Sequence, residues 1–186
     1  MKIFSKIEEG YTLPEVAASM TLMSVVLVSL MYITGEASFY FNREMMREEV
    51  QHYANTVLDD IADQMSTAPE INVNFSHNSR KISCVFDTVA YVYTADRNRG
   101  VLKDGDPMDI LRFNKSRELP YKMELMHFDC ISAMEITETF DQDLRESVYK
   151  IELVIDALFS KNDNELRQRF EFSRRVFARS KFARIS

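Results

Sequence analysis

The sequence predicts an α+β fold: one long N-terminal helix, apolar in its first half and amphipathic in its second, packed on an antiparallel β-sheet. Three observations predict it. From Tyr11 to Ile33 the only charged side chain is Glu15, and a helix needs about 20 mainly apolar residues to cross a bilayer. Beyond Gly35, the residues Met46, Val50, Tyr53, Val57, Ile61 and Met65 recur at helical spacing, which gives a helix one buried face. From Asn72 onward much of the chain alternates apolar and polar residues, the pattern of half-buried strands. A helix followed by runs of strands is the α+β arrangement.

Taken in order, residues 1–10 are short and polar, with Lys2 and Lys6 offset by Glu8 and Glu9. Residues 11–34 form the apolar segment, which is longer than the core of an ordinary secretory signal, about 7–15 residues. Residues 35–68 continue the helix. Ala54 and Leu58 widen its apolar stripe, while Arg47, Glu48, Gln51, Asp59, Asp60 and Asp63 occupy the other face. Gly35 is the one strong breaker between Leu13 and Ala68, and Thr67-Ala68-Pro69 is a natural stop, because a residue before proline is pushed out of helical geometry.

Residues 69–186 read as a β-rich globular domain. Ile82, Cys84 and Phe86 alternate with Ser83, Val85 and Asp87, and Val89, Tyr91 and Tyr93 alternate again. Gly100-Val101-Leu102-Lys103 is a short strand, Lys103–Pro107 a turn or exposed loop, and Met123 through Ile136 a further strand. Tyr149, Ile151, Leu153 and Ile155 form the clearest strand, with Lys150, Glu152 and Asp156 on its opposite face. Phe170 and Phe172 begin its partner, and Ser160–Asn164 is polar enough to turn the pair into a hairpin.

Composition narrows the function. The 186-residue chain carries a net charge of −6, which argues against a general nucleic-acid binder. Its four glycines have neither Rossmann nor P-loop spacing, and none of its three histidines sits in an HExxH motif. No nucleophile elbow is present, and the sequence predicts no enzyme, no cofactor and no metal centre.

The junction Glu9-Gly10-Tyr11-Thr12-Leu13-Pro14-Glu15 carries the most information. A polar stretch ends in glycine, an aromatic residue follows, and a glutamate sits five residues after the glycine at the start of a long apolar helix. Thr12-Leu13-Pro14-Glu15 also reads as a capping box, with Glu15 bonding back to the Thr12 amide. This junction resembles the class III signal of type IV pilins and type II secretion pseudopilins. In size and layout the chain is most similar to pseudopilin J and the related W-type minor pilins.

The resemblance implies a leader peptide over 1–10, cleavage between Gly10 and Tyr11 by a prepilin peptidase, and N-methylation of Tyr11. It also implies that Glu15 pairs with the N-terminal amine of a neighbouring subunit during assembly. The partners it implies are the peptidase, other pilin or pseudopilin subunits, an inner-membrane assembly platform and the lipid bilayer. The protein would then be a single-pass inner-membrane subunit, its domain on the periplasmic or outer side, incorporated into a secretion pseudopilus or a pilus. Glu8 and Glu9 depart from the basic residues usual beside that glycine, and Tyr11 and Pro14 replace a phenylalanine and an aliphatic residue.

Other features are weaker. Cys84 and Cys130 would lie in an oxidising compartment, where a disulfide between them is one reading and two small buried residues the other. Asp104, Asp106 and Asp109 cluster around a turn that suits a solvated loop better than calcium. The C-terminal stretch is basic and aromatic, with Arg167, Arg169, Arg174, Arg175, Phe170 and Phe172. It raises the alternative of a minor pilin that binds DNA or a surface, although nucleic acid is not the expected partner. A generic single-span membrane protein is the remaining alternative.

Overall fold

The computed structural model describes residues 12–76, 79–86, 89–108, 121–132, 147–161 and 164–185. Helix α1 spans Leu13–Thr67, 55 residues without a break, or about 80 Å at 1.5 Å per residue. Gly35 does not interrupt it, and no atom lies within 4 Å of where its side chain would begin. The helix ends as its sequence dictates. The Ala68 amide donates to the Gln64 carbonyl (2.9 Å), and Pro69 has no N–H with which to add another turn.

Two compact units divide between Arg43 and Glu44. The first contains α1 as far as Arg43. The second contains the rest of α1 and two antiparallel sheets.

Among the described residues, one sheet has five strands in sequential order: β1 Glu70–Ser76, β2 Ser79–Val85, β3 Ala90–Asp96, β4 Gly100–Lys103 and β5 Asp106–Pro107. The other has three: β6 Tyr121–Ser132, β7 Val148–Lys161 and β8 Asn164–Phe177. A short helix, α2, spans Arg179–Ile185. The sequence suggested one sheet, and the structure divides it into two. At the division β5 is only two residues long and ends at Pro107. The sheets still meet, because the Leu125 amide donates to the Arg97 carbonyl (2.9 Å). That bond falls where the β6–β7 register slips between Leu125 and His127, a bulge that turns the backbone out of its own ladder.

The helix packs on both sheets through one apolar core. Met46, Val50, Tyr53, Ala54, Val57, Leu58, Ile61 and Met65 are buried on α1. They share that core with Ile82, Cys84 and Tyr93 of the first sheet and with Met123, Phe128, Ile151, Leu153 and Ile155 of the second. The helical spacing read from the sequence therefore marks the buried stripe residue for residue. Burying each large side chain contributes about 1.5–3 kcal/mol, more than helix propensity supplies.

The turns follow local chemistry. Asp96 Oδ1 accepts from the amides of Asn98 and Arg99 (both 2.8 Å), closing the β3–β4 turn before Gly100 at φ 78°. Asp104 and Gly105 have φ of 54° and 92°, the left-handed pair that a two-residue Asp-Gly hairpin requires. The stretch read as a turn or loop at Lys103–Pro107 is thus the tight β4–β5 hairpin. The predicted hairpin near Ser160–Asn164 is present as β7 and β8, paired from Val148↔Phe177 to Lys161↔Asn164. The strand expected from Met123 is observed as far as Ser132, and its continuation to Ile136 lies outside the described residues.

Candidate functional site

The start of α1 is a capping box. The Thr12 amide and the Thr12 hydroxyl both donate to Glu15 Oε2, each at 2.8 Å. The Thr12 carbonyl in turn accepts from the amides of Glu15 (3.0 Å) and Val16 (3.1 Å). Pro14 sits inside the first turn, where its missing N–H costs nothing. Glu15 therefore organises the helix start as the T-x-x-E spacing predicts. Gly10 and Tyr11, the residues read as a processing site, lie outside the described residues, as does the rest of segment 1–10.

Beyond the cap, α1 is long and apolar enough to cross a membrane. Its large side chains are open to the surroundings, among them Leu22 at 69% and Val28 at 67% exposure. Five serine and threonine hydroxyls interrupt this surface, and each is satisfied within the helix. Ser19, Thr21, Ser24, Ser29 and Thr34 donate to backbone carbonyls three or four residues earlier, at 2.6–2.9 Å. Internal pairing is what a bilayer demands of polar groups on a spanning helix.

In the second unit, polar contacts fix α1 to the sheets. Tyr93 donates its hydroxyl proton to Asp60 Oδ2 (2.7 Å), and Lys103 Nζ contacts both Asp60 oxygens (2.9 and 3.0 Å). The Lys103 ammonium also lies 4.9 Å from the centre of the Tyr91 ring. Burial, and then the hydrogen bond to Asp60, raises the Tyr93 phenol well above its ordinary range, so it stays a donor. The Tyr53 hydroxyl accepts from the Val101 amide (2.8 Å). Tyr121 hydrogen-bonds Glu49, and Arg174 pairs with Asp59. The sequence placed Asp60 on the outer face of the helix with Asp59 and Asp63. The structure turns it toward the first sheet instead.

The outer face of the second sheet carries a charge cluster. Asp156 is wholly buried. Arg169 holds it with two bonds (2.9 and 3.2 Å), and Arg167 stands 3.8 Å away. Its cross-strand neighbour Glu124 is held by Lys122 (2.8 Å) and by Arg97 (2.7 and 3.1 Å). These hydrogen bonds, Lys122 first and then Arg97, lower the Glu124 carboxyl to about 2. Much of the basic C-terminal tract is therefore committed to internal carboxylates: Arg167 and Arg169 to Asp156, Arg174 to Asp59.

Cys84 on β2 and Cys130 on β6 are both buried in the shared core. The structure holds both as free thiols, without the disulfide weighed from the sequence. Burial pushes each thiol up to about 12, with Asp60 adding to the effect at Cys84 and Asp129 at Cys130. The Asp104 carboxylate accepts from the Val92 amide (2.8 Å), so it serves its turn, while Asp109 lies outside the described residues. Among the described residues no cluster of His, Cys, Asp and Glu could hold a metal ion.

Comparison with protein-family models, curated proteins and solved structures returned no match. The functional reading therefore rests on the residues themselves.

Proposed function

We propose that this chain is a minor pilin or pseudopilin, a structural subunit that acts by packing and not by catalysis. The observation that carries the reading is the unbroken course of α1. A capped apolar helix with Glu15 as its one charged residue before Glu36 continues directly into the helix on which an α+β domain is built. An ordinary signal anchor has no need to become the core helix of the domain that follows it. A filament subunit does, because the same rod serves first in the bilayer and then in the filament core.

In this reading a prepilin peptidase cuts between Gly10 and Tyr11 and methylates Tyr11. Segment 11–34 then holds the protein in the inner membrane, with the domain on the far side. During assembly of a type II secretion pseudopilus or type IV pilus, Glu15 exchanges its bonds to Thr12 for the free amine of a neighbouring subunit. A lone carboxylate in lipid costs about 2.5–3.5 kcal/mol at the bilayer centre and less near the surface, and pairing with that amine within a filament core offsets much of the penalty. The commitment of Arg167, Arg169 and Arg174 to carboxylates supports a structural role over one in DNA binding.

The experiment is co-expression with a prepilin peptidase, followed by intact mass and N-terminal sequencing. A chain beginning at N-methyl-Tyr11 is the expected result. An uncut chain beside a control substrate that is cut removes the reading and leaves a single-span anchor. Glu15→Gln should preserve cleavage and abolish incorporation into filaments, and normal incorporation would overturn the role given to this carboxylate.

A further inference from the structure

Residues 16–35 contain no charged side chain and are closed at each end by a carboxylate, Glu15 and Glu36. Twenty helical residues rise about 30 Å, the thickness of a hydrocarbon core. Just beyond this window three aromatic residues follow one another: Phe39, Tyr40 and Phe41. Phe39 and Tyr40 meet edge to face, with ring centres 6.0 Å apart. Tyr40 is 59% and Phe41 65% exposed.

Their arrangement around the helix is the informative feature. Successive helical residues point about 100° apart, so the three rings spread over about 200° of the circumference. Tyr32, 70% exposed, stands two turns before Phe39 on nearly the same side. A helix that docks on one protein partner concentrates its apolar residues in a single stripe about 100° wide. A collar suits surroundings that are the same in every direction. At the membrane–water interface, tyrosine rings sit at headgroup level with the hydroxyl toward water, and adjoining phenylalanine rings add apolar area at the acyl boundary. The distances agree: the rings lie about 6–9 Å past Gly35, where the interfacial layer is about 5–7 Å thick.

We propose that Phe39, Tyr40 and Phe41, with Tyr32 on the inner side, form an interfacial collar that binds the headgroup layer of a bilayer and fixes how deeply α1 sits in it. The collar rests on the reading of α1 as a membrane span. Its occupant is lipid, not a second subunit.

The chain has no tryptophan, so one introduced tryptophan reports alone. The full chain is reconstituted in phosphatidylcholine–phosphatidylglycerol vesicles. One set of lipids carries bromine near the headgroup and another near the end of the acyl chain. Phe41→Trp should be quenched at least about twofold more by the shallow bromine, and Leu27→Trp should show the reverse order. If Leu27→Trp is quenched by deep bromine while Phe41→Trp is quenched by neither and emits as in water, the collar is overturned and the span stands. If Phe41→Trp escapes both bromines yet emits as a shielded ring, increasingly so at higher protein-to-lipid ratio, a second subunit occupies the site and the proposal again fails. If Leu27→Trp itself escapes quenching, the span is wrong and the collar falls with it.

Discussion

Asp59 and Asp60 are adjacent acids on α1, and removing each in turn should have very different consequences. Asp60 accepts from Tyr93 and pairs with Lys103, tying α1 to β3 and β4. Asp60→Ala removes a hydrogen bond to a charged group, worth about 1.5–3 kcal/mol. It also removes a half-exposed ion pair worth about 0–1 kcal/mol. Lys103 keeps its contact with the Tyr91 ring, so part of its position survives. The expected loss is about 3 kcal/mol, with Asp60→Asn intermediate because an acceptor for Tyr93 remains. Asp59 pairs only across an open surface, its side chain 52% and that of Arg174 47% exposed, so Asp59→Ala should cost less than about 1 kcal/mol. Urea unfolding of the full chain in detergent micelles, followed by tyrosine fluorescence, measures both. At an ordinary slope, 3 kcal/mol moves the midpoint by about 1–2 M. Equal midpoints for Asp59→Ala and Asp60→Ala would refute the assignment of the helix–sheet clamp to Asp60.

Two further outcomes follow from the titrating groups. The Glu124 carboxyl is lowered to about 2 in the folded chain. Its contribution should be fully present above the ordinary carboxylate range and lost as pH falls through about 2. Arg97 and Lys122 are 61% and 48% exposed, so screening leaves about 1–2 kcal/mol of it. Glu124→Gln should flatten the acid limb of a stability–pH curve by that amount, and an unchanged limb would count against the cluster. Cys84 and Cys130, raised to about 12 by burial, should resist iodoacetamide at neutral pH in the native state. Both should react at once in denaturant without reductant, whereas a chain showing no thiol there carries the Cys84–Cys130 bridge.

Local features were legible in the sequence, and features that depend on distant pairing were not. The α1 stripe from Met46 to Met65 could be read because helical spacing and burial coincide along one element. The β7–β8 hairpin could be read because its two alternating runs are neighbours. By contrast, Asp60 looks like any outward acid until β3 and β4 bring Tyr93 and Lys103 beside it from 33 and 43 residues away. Asp156 alternates as an outward residue, and does face outward, yet it is completely buried. No period in the chain announces Arg169 as its cover. The division into two sheets rests on a two-residue strand and a bulge, both below the resolution of pattern reading. For the candidate site, the Thr12–Glu15 box was visible because capping is a four-residue affair. The aromatic collar needed the helix to be continuous before its circumference could be counted.

Among the described residues β8 pairs on one side only, which leaves 14 residues of backbone as a template for any stray strand. Arg167, Arg169, Arg174 and Arg175 lie on that strand, and a strand docking there would have to displace long charged side chains, three of them held by Asp156 and Asp59. The guanidinium groups thus act as gatekeepers against amyloid-like growth. Growth through the open edge of this sheet is thereby disfavoured.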